Sequence, residues 1–254
     1  MGRLVRTDCI EIGGIDLLHI RDLQKQFQVD GRSVPILDIP QWKVEPGEQV
    51  AITGPSGSGK STLLHLISGL LRPDRGEILL DNQPLHSLGE AQRDAFRASR
   101  IGYVMQNFHL IPSLNARQNI EIAMTGAISS KARAAVISEW LERVGLQDRG
   151  QHLPSQLSRG QQQRVAIVRA LINQPPLVLA DEPTGSLDWE TADEIASLLL
   201  GLSRGIRHTL IVVTHDLNLA ARFSRCLHIH DMNQIRQPGL SRTTGLEQRE
   251  GFGG

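Results

Sequence analysis

Cysteine is nearly absent from this 254-residue sequence, with only Cys9 and Cys226. Two are too few for a disulfide framework or a cysteine-built zinc site, and they suit a reducing compartment. Net charge is absent too: 27 basic residues balance 27 acidic ones. That balance argues against a chain whose main task is to hold nucleic acid on a strongly basic surface. No run approaches the ~18–20 consecutive apolar residues that a membrane span needs, and the greasiest segment, Leu63–Leu71, is broken by His65, Ser68 and Gly69. The N-terminus, Met1-Gly2-Arg3-Leu4-Val5-Arg6, has no apolar core of a signal peptide and carries Arg where myristoylation wants Ser or Thr. The expectation is a soluble, cytoplasmic protein.

What is present is ordinary for a globular chain: 40% hydrophobic and 21% charged residues. At this length one or two domains are expected, burying roughly 70–75% of the surface that the unfolded chain exposes. Short apolar runs alternate with stretches of helical period, which predicts βα units and a mostly parallel sheet. Four runs stand out: Gln49–Thr53 before Gly54, Ile101–Met105 before Gln106, Leu177–Ala180 before Asp181, and Thr209–Val213 before Thr214-His215. Each ends on polar or glycine chemistry. Ligands of open α/β sheets sit outside the carboxyl ends of the strands, so these four positions should meet along one edge. Between Pro84 and Ser158 helical patterns dominate, as in Lys131–Asp148, where Ala132, Val136, Ile137, Trp140, Leu141 and Val144 recur at helical spacing. That segment reads as a helical subdomain inserted into the α/β core. The tail from Gln237 is expected to be disordered.

Gly54-Pro55-Ser56-Gly57-Ser58-Gly59-Lys60-Ser61 fits G-x-x-x-x-G-K-[ST]. Glycines let successive N–H groups turn inward toward phosphate oxygens, and the following helix adds its positive N-terminal end. Lys60 can reach β and γ phosphates, and Ser61 can ligate Mg²⁺. Only 4 of the 27 basic residues are lysines, so a lysine here runs against the chain's preference for arginine, as a compact ammonium site would require. Nucleoside triphosphate binding follows.

Leu177–Ala180 leads into Asp181-Glu182, where Asp181 is placed to hold Mg²⁺ and Glu182 to act as general base on the attacking water. Without the phosphate loop, such a pair would more often be a helix start or a surface turn. Ser158 and Gln161 have capping-box spacing at the start of a helix, and Gly160 beside them makes that end a second phosphate site; a merely well-capped helix is the even alternative. His215 and Gln106 carry little weight alone and gain it from their places on the shared sheet edge.

In this order, the segments resemble the nucleotide-binding subunit of an ABC (ATP-binding cassette) transporter over residues 16–235. In that family Gly54–Ser61 corresponds to the phosphate loop, Gln106 to the Q-loop, and Leu157–Gln161 to the signature motif. Leu177–Glu182 is then the Walker B segment, Ser186-Leu187-Asp188 the D-loop, His215 the switch histidine, and Phe27 the aromatic residue that stacks on adenine. The stretches Ile101–Phe108 and Ala180–Asp188 look most like the LolD/MacB/FtsE-type group. One position departs: Arg159 stands where the family most often has Gly, with Ser158, Gly160 and Gln161 retained.

The resemblance implies an α/β fold: a P-loop NTPase (RecA-like) core with a parallel sheet, an N-terminal antiparallel β region and an inserted α-helical subdomain. The ATP-binding domain would span 16–236, its core 16–83 and 159–236, its helical subdomain 84–158. Glu182, His215 and Gln106 would be catalytic. Phe27, Gly54, Pro55, Ser56, Gly57, Ser58, Gly59, Lys60, Ser61, Thr62, Ser158, Gly160, Gln161 and Asp188 would bind ATP, and Ser61, Gln106 and Asp181 Mg²⁺. Two copies would close head to tail over two ATP molecules and drive a transmembrane permease from the inner face of the cell membrane. A cell-division-type ATPase that moves no substrate, or a soluble ABC ATPase acting on nucleic acid or ribosomes, are the alternatives.

Overall fold

Residues 16–206 and 208–235 are described by this computed structural model; Cys9, the N-terminal leader pattern and the tail from Gln237 lie outside them. The described chain opens with a hairpin of β1 (Leu18–Val29) and β2 (Arg32–Val44). Asp30 and Gly31 join the strands with φ of 50° and 74°, both in the left-handed region, which is the two-residue type I′ turn that Asp-Gly favours. Next come β3 (Gln49–Thr53), α1 (Lys60–Ile67), β4 (Arg75–Leu80) and the two-residue β5 (Gln83–Pro84). β4 returns to pair antiparallel with β1, giving a four-stranded sheet of order β2-β1-β4-β5. The antiparallel region is therefore not wholly N-terminal, since two of its strands follow the phosphate loop.

The chain continues through α2 (Glu90–Arg100), β6 (Ile101–Val104), α3 (Ala116–Glu121), α4 (Ser130–Arg143) and α5 (Arg159–Leu171). β7 (Leu177–Asp181), α6 (Trp189–Ile206), β8 (Thr209–Thr214), α7 (Leu217–Ala220), β9 (Arg225–His228) and α8 (Ile229–Met232) complete it. The second sheet is parallel, ordered β6-β7-β8-β3-β9. Within the span 84–158, the expected strand at Ile101–Met105 is β6, which pairs with β7 from Ile101↔Leu177 to Val104↔Ala180. Helices of that span lie on both sides of β6, α2 before it and α3 and α4 after it. α3 and α4 are capped by short polar side chains: Asn115 accepts from Gln118 N, and Ser129 from Ala132 N. α4 stops at Arg143, just before Gly145 with φ 70°.

The parallel sheet is covered on both faces, and side-chain alternation assigns its residues to two cores. Val178, Ala180, Leu210 and Val212 pack with Val165, Val168, Ile195 and Leu199 from α5 and α6. Leu177, Leu179, Ile211 and Val213 pack with Leu63, Leu64 and Ile67 of α1 and with the antiparallel sheet through Leu18, Ile20 and Ile39. Each such side chain removed from water contributes about 1.5–3 kcal/mol. These cores fix the sheet, and the sheet fixes the edge at which the polar strand ends gather.

Candidate active site

All four parallel strands singled out in the sequence end on the same edge. Gln106, Glu182 and His215, from beyond β6, β7 and β8, line one cavity of about 470 Å³ together with Ser56, Gly57 and Gly59 from the β3–α1 connection and Lys60, Ser61 and Thr62 from the first turn of α1. Phe27 and Ile36, from the β1–β2 hairpin, also line it. Phe27 is partly exposed, and Lys25 Nζ lies 5.4 Å from its ring centroid.

The phosphate loop has little freedom to be anything but glycine at two points. Gly54 has φ 152°, and a Cβ there would lie 2.5 Å from Ile229 Cγ2. Gly59, the residue before α1, has φ 95°, and a Cβ would lie 3.0 Å from Leu37 Cδ2. Lys60 is 7% exposed; its Nζ donates to the carbonyls of Gly54 at 2.8 Å and Pro55 at 3.0 Å. Gly54, Pro55 and Ser58 lie outside the lining residues, and Ser58 Oγ is buried with no hydrogen-bond partner among the described residues.

Beneath the loop, Ser61 Oγ donates to Asp181 Oδ1 at 3.0 Å. Burial pushes the Asp181 carboxyl above its ordinary range, the Ser61 hydrogen bond and the charge of His65 pull against that, and the neighbouring Glu182 adds to it. Ser61, Asp181 and Gln106 all offer oxygen, which is the donor chemistry that suits Mg²⁺.

Glu182 has φ 46°, a left-handed conformation that costs a non-glycine residue roughly 1–2 kcal/mol. Its backbone is held there by Glu182 N donating to Val213 O and Gly185 N to Glu182 O. The strained backbone aims a mostly buried carboxylate into the cavity. Oε2 accepts from Thr214 Oγ1 at 3.2 Å and His215 N at 3.2 Å, and lies 2.8 Å from His215 Nδ1; Oε1 lies 3.8 Å from Lys60 Nζ.

Ser158, Gly160, Gln161 and Asp188 are not brought to this cavity. They form a second group. Gln161 N donates to Ser158 Oγ and Ser158 N to Gln161 Oε1, closing the capping box. A Cβ on Gly160 would lie 2.5 Å from Thr191 Cγ2, so α5 begins in close contact with α6. Thr191 in turn donates from N and Oγ1 to the two carboxylate oxygens of Asp188. Those bonds hold the Asp188 carboxyl below its ordinary range.

Three site residues escape the sequence reading. Thr214 supports Glu182 and is visible only as the neighbour of His215. Ile36 lines the cavity as the residue left unpaired by the β-bulge between Lys25↔Leu37 and Gln26↔Pro35, with no local signal. Gln163, fully buried in α5, donates from Nε2 to Pro183 O at 2.7 Å, directly behind Glu182; its inward place follows from helical spacing along 159–171.

Residues 37–185 match the ABC transporter family model. The lipoprotein-releasing system ATP-binding protein LolD of Pseudomonas fluorescens is 45% identical over 219 residues, 85% of this chain and 95% of that protein. The uncharacterized ABC transporter ATP-binding protein YbbA of Escherichia coli is 45% identical over 216 residues, 84% of this chain and 94% of that one. Among solved structures, the dimeric post-hydrolysis state of the ATP-binding cassette MJ0796 bound to ADP and Pi is similar with a TM-score of 0.77 and 39% identity, covering 83% of this chain and 93% of that one. With a parallel-sheet edge that carries Lys60, Ser61, Glu182 and His215 round one cavity, and Asp181 hydrogen-bonded to Ser61, this chain belongs to the ABC transporter family as an ATP-binding, ATP-hydrolysing cassette.

Proposed function

We propose that this ATPase works as two identical subunits that close over two Mg·ATP and drive a separate membrane-spanning permease of the lipoprotein-release or export type. One observation carries the reading: the candidate nucleotide residues fall into two groups on one chain, with Lys60, Glu182 and His215 round the cavity and Ser158, Gly160 and Asp188 apart from it. A second copy placed head to tail supplies the missing capped helix end, whose N–H groups and dipole favour the γ-phosphate. The subgroup rests on the 45% identity to the LolD protein. No helix among the described residues is long and apolar enough to cross a membrane, and in this reading the permease is a separate chain. The cassette then sits peripherally on the inner face of the cell membrane.

In this reading the triphosphate lies along Ser56–Ser61, with the Lys60 ammonium at its outer phosphates and Thr62 at the first turn of α1. Ser61, Asp181 and Gln106 would hold Mg²⁺, which would supply positive charge against the phosphate oxygens. Glu182 accepts the proton of the attacking water, and His215 and Thr214 keep its Oε2 fixed. Phe27 stacks on the base.

Two results test it. The full-length Glu182→Gln variant should sediment as a monomer alone and as a dimer with Mg·ATP; a monomer in both conditions would end the paired reading. Phe27→Ala should weaken ATP and GTP binding alike, since base–aromatic stacking is worth about 1–3 kcal/mol and every base has a π face. Equal affinities for the variant and the parent protein would leave Phe27 as a wall of the cavity only.

A further inference from the structure

The segment that carries Gln106 out of β6 is fastened by side chains from two helices. Arg169, in the last turn of α5, donates from Nη1 to His109 O and from Nη2 to Phe108 O, each at 2.6 Å. His109 lies in the left-handed region at φ 47°, which turns its carbonyl alongside that of Phe108. Further on, Asn119 of α3, fully buried, accepts from Ile111 N and donates to the carbonyls of Ile111, Leu114 and Asn115. The planar guanidinium presents parallel N–H groups in a fixed fork, and here it spends them on two successive backbone carbonyls rather than on a carboxylate. Burial lowers the pKa of Arg169 from its ordinary value, so the charge is held at some cost where it grips the loop.

Arg169 belongs to the same helix as Ser158, about 16 Å along it at 1.5 Å per residue. Gln163, between them, holds Pro183 beside Glu182. One rigid helix therefore begins at the capped end offered to a second copy and is pinned by side chains to the backbone next to Gln106 and next to Glu182. We infer that Arg169 is a positioning residue for Gln106: its fork sets the path of Phe108–His109, and through it the place of the Gln106 amide in the nucleotide cavity. The inference rests on Gln106 serving the reaction, and it adds how the chain places that side chain.

A double-mutant cycle on the full-length protein tests it, because residues that act through one another are non-additive. Arg169→Ala should lower kcat for phosphate release about tenfold, as expected for a displaced positioning group, while binding of a fluorescent ATP analogue changes by less than about twofold. In the Gln106→Ala background the same substitution should lower kcat by less than about twofold, since its target is gone. Arg169→Lys, which keeps the charge but loses the fork, should fall between the two, and it carries the cycle if the alanine variant does not fold. Equal losses in the two backgrounds would overturn the positioning role and leave Arg169 a general support of the fold. Parent-level turnover in Gln106→Ala alone would instead remove the role of Gln106 itself, and the inference with it.

Discussion

Replacing Glu182 by glutamine is expected to cut phosphate release by about 10²–10⁴-fold, the range over which a positioned general base contributes, while Mg·ATP still binds. The geometry explains why this substitution is clean. Thr214 Oγ1 and His215 N donate to Oε2, with His215 Nδ1 2.8 Å away, and a glutamine oxygen keeps an acceptor at that position, though a weaker one than a carboxylate. The backbone strain at φ 46° is no worse for glutamine than for glutamate, and the bond from Glu182 N to Val213 O is untouched. What disappears is a basic oxygen beside the outer phosphates. Removing the negative charge near Lys60, 3.8 Å from Oε1, also eases the approach of a polyanion, so affinity should hold or rise. Phosphate release is read at saturating Mg·ATP and binding by titration. Turnover equal to that of the parent protein would take the base role away from Glu182 and return the search to the other groups of the cavity.

The parts of this site that could be read from the sequence are those in which chemistry sits directly on a strand end. Gly54, Gln106, Asp181-Glu182 and His215 each follow a short apolar run, and a parallel sheet brings all such ends to one edge, so local pattern and global placement coincide. The Ser158–Gln161 box was equally legible, because a cap is made from residues three apart. The rest depends on pairing between distant segments. Nothing near Ile36 announces the β-bulge that leaves it unpaired at the cavity, although the Asp30-Gly31 turn that sets the register as far as Gln26↔Pro35 is a sequence signal in itself. The return of β4 to β1 is likewise decided by long-range pairing. Arg169 looks like one more arginine on an amphipathic helix until the fold brings the carbonyls of Phe108 and His109 to it.

Lysine at position 60 carries the second large effect. Lys60→Ala should weaken ATP binding by about 10–150-fold, the equivalent of the roughly 1.5–3 kcal/mol of a charge-assisted hydrogen bond. The site explains the choice of residue. The ammonium sits 7% exposed in the curl of its own loop, 2.8 and 3.0 Å from the carbonyls of Gly54 and Pro55. Those carbonyls pre-organise the charge before a phosphate arrives, and the methylene stem is buried along with it. Alanine removes the cation and the buried stem together; arginine restores the cation, but its planar fork needs more room than that curl allows, so Lys60→Arg should lose affinity in the same direction. A chain that uses arginine for 23 of its 27 basic positions would be expected to tolerate arginine here if charge alone mattered. The contrast is measured by titrating both variants with a fluorescent ATP analogue beside a thermal unfolding control. Affinity kept in Lys60→Arg but lost in Lys60→Ala would show that the phosphates need only a positive charge. Affinity kept in both would mean that the triphosphate does not lie along this loop, and Glu182, which shares the cavity with Lys60, would then be left without a substrate to act on.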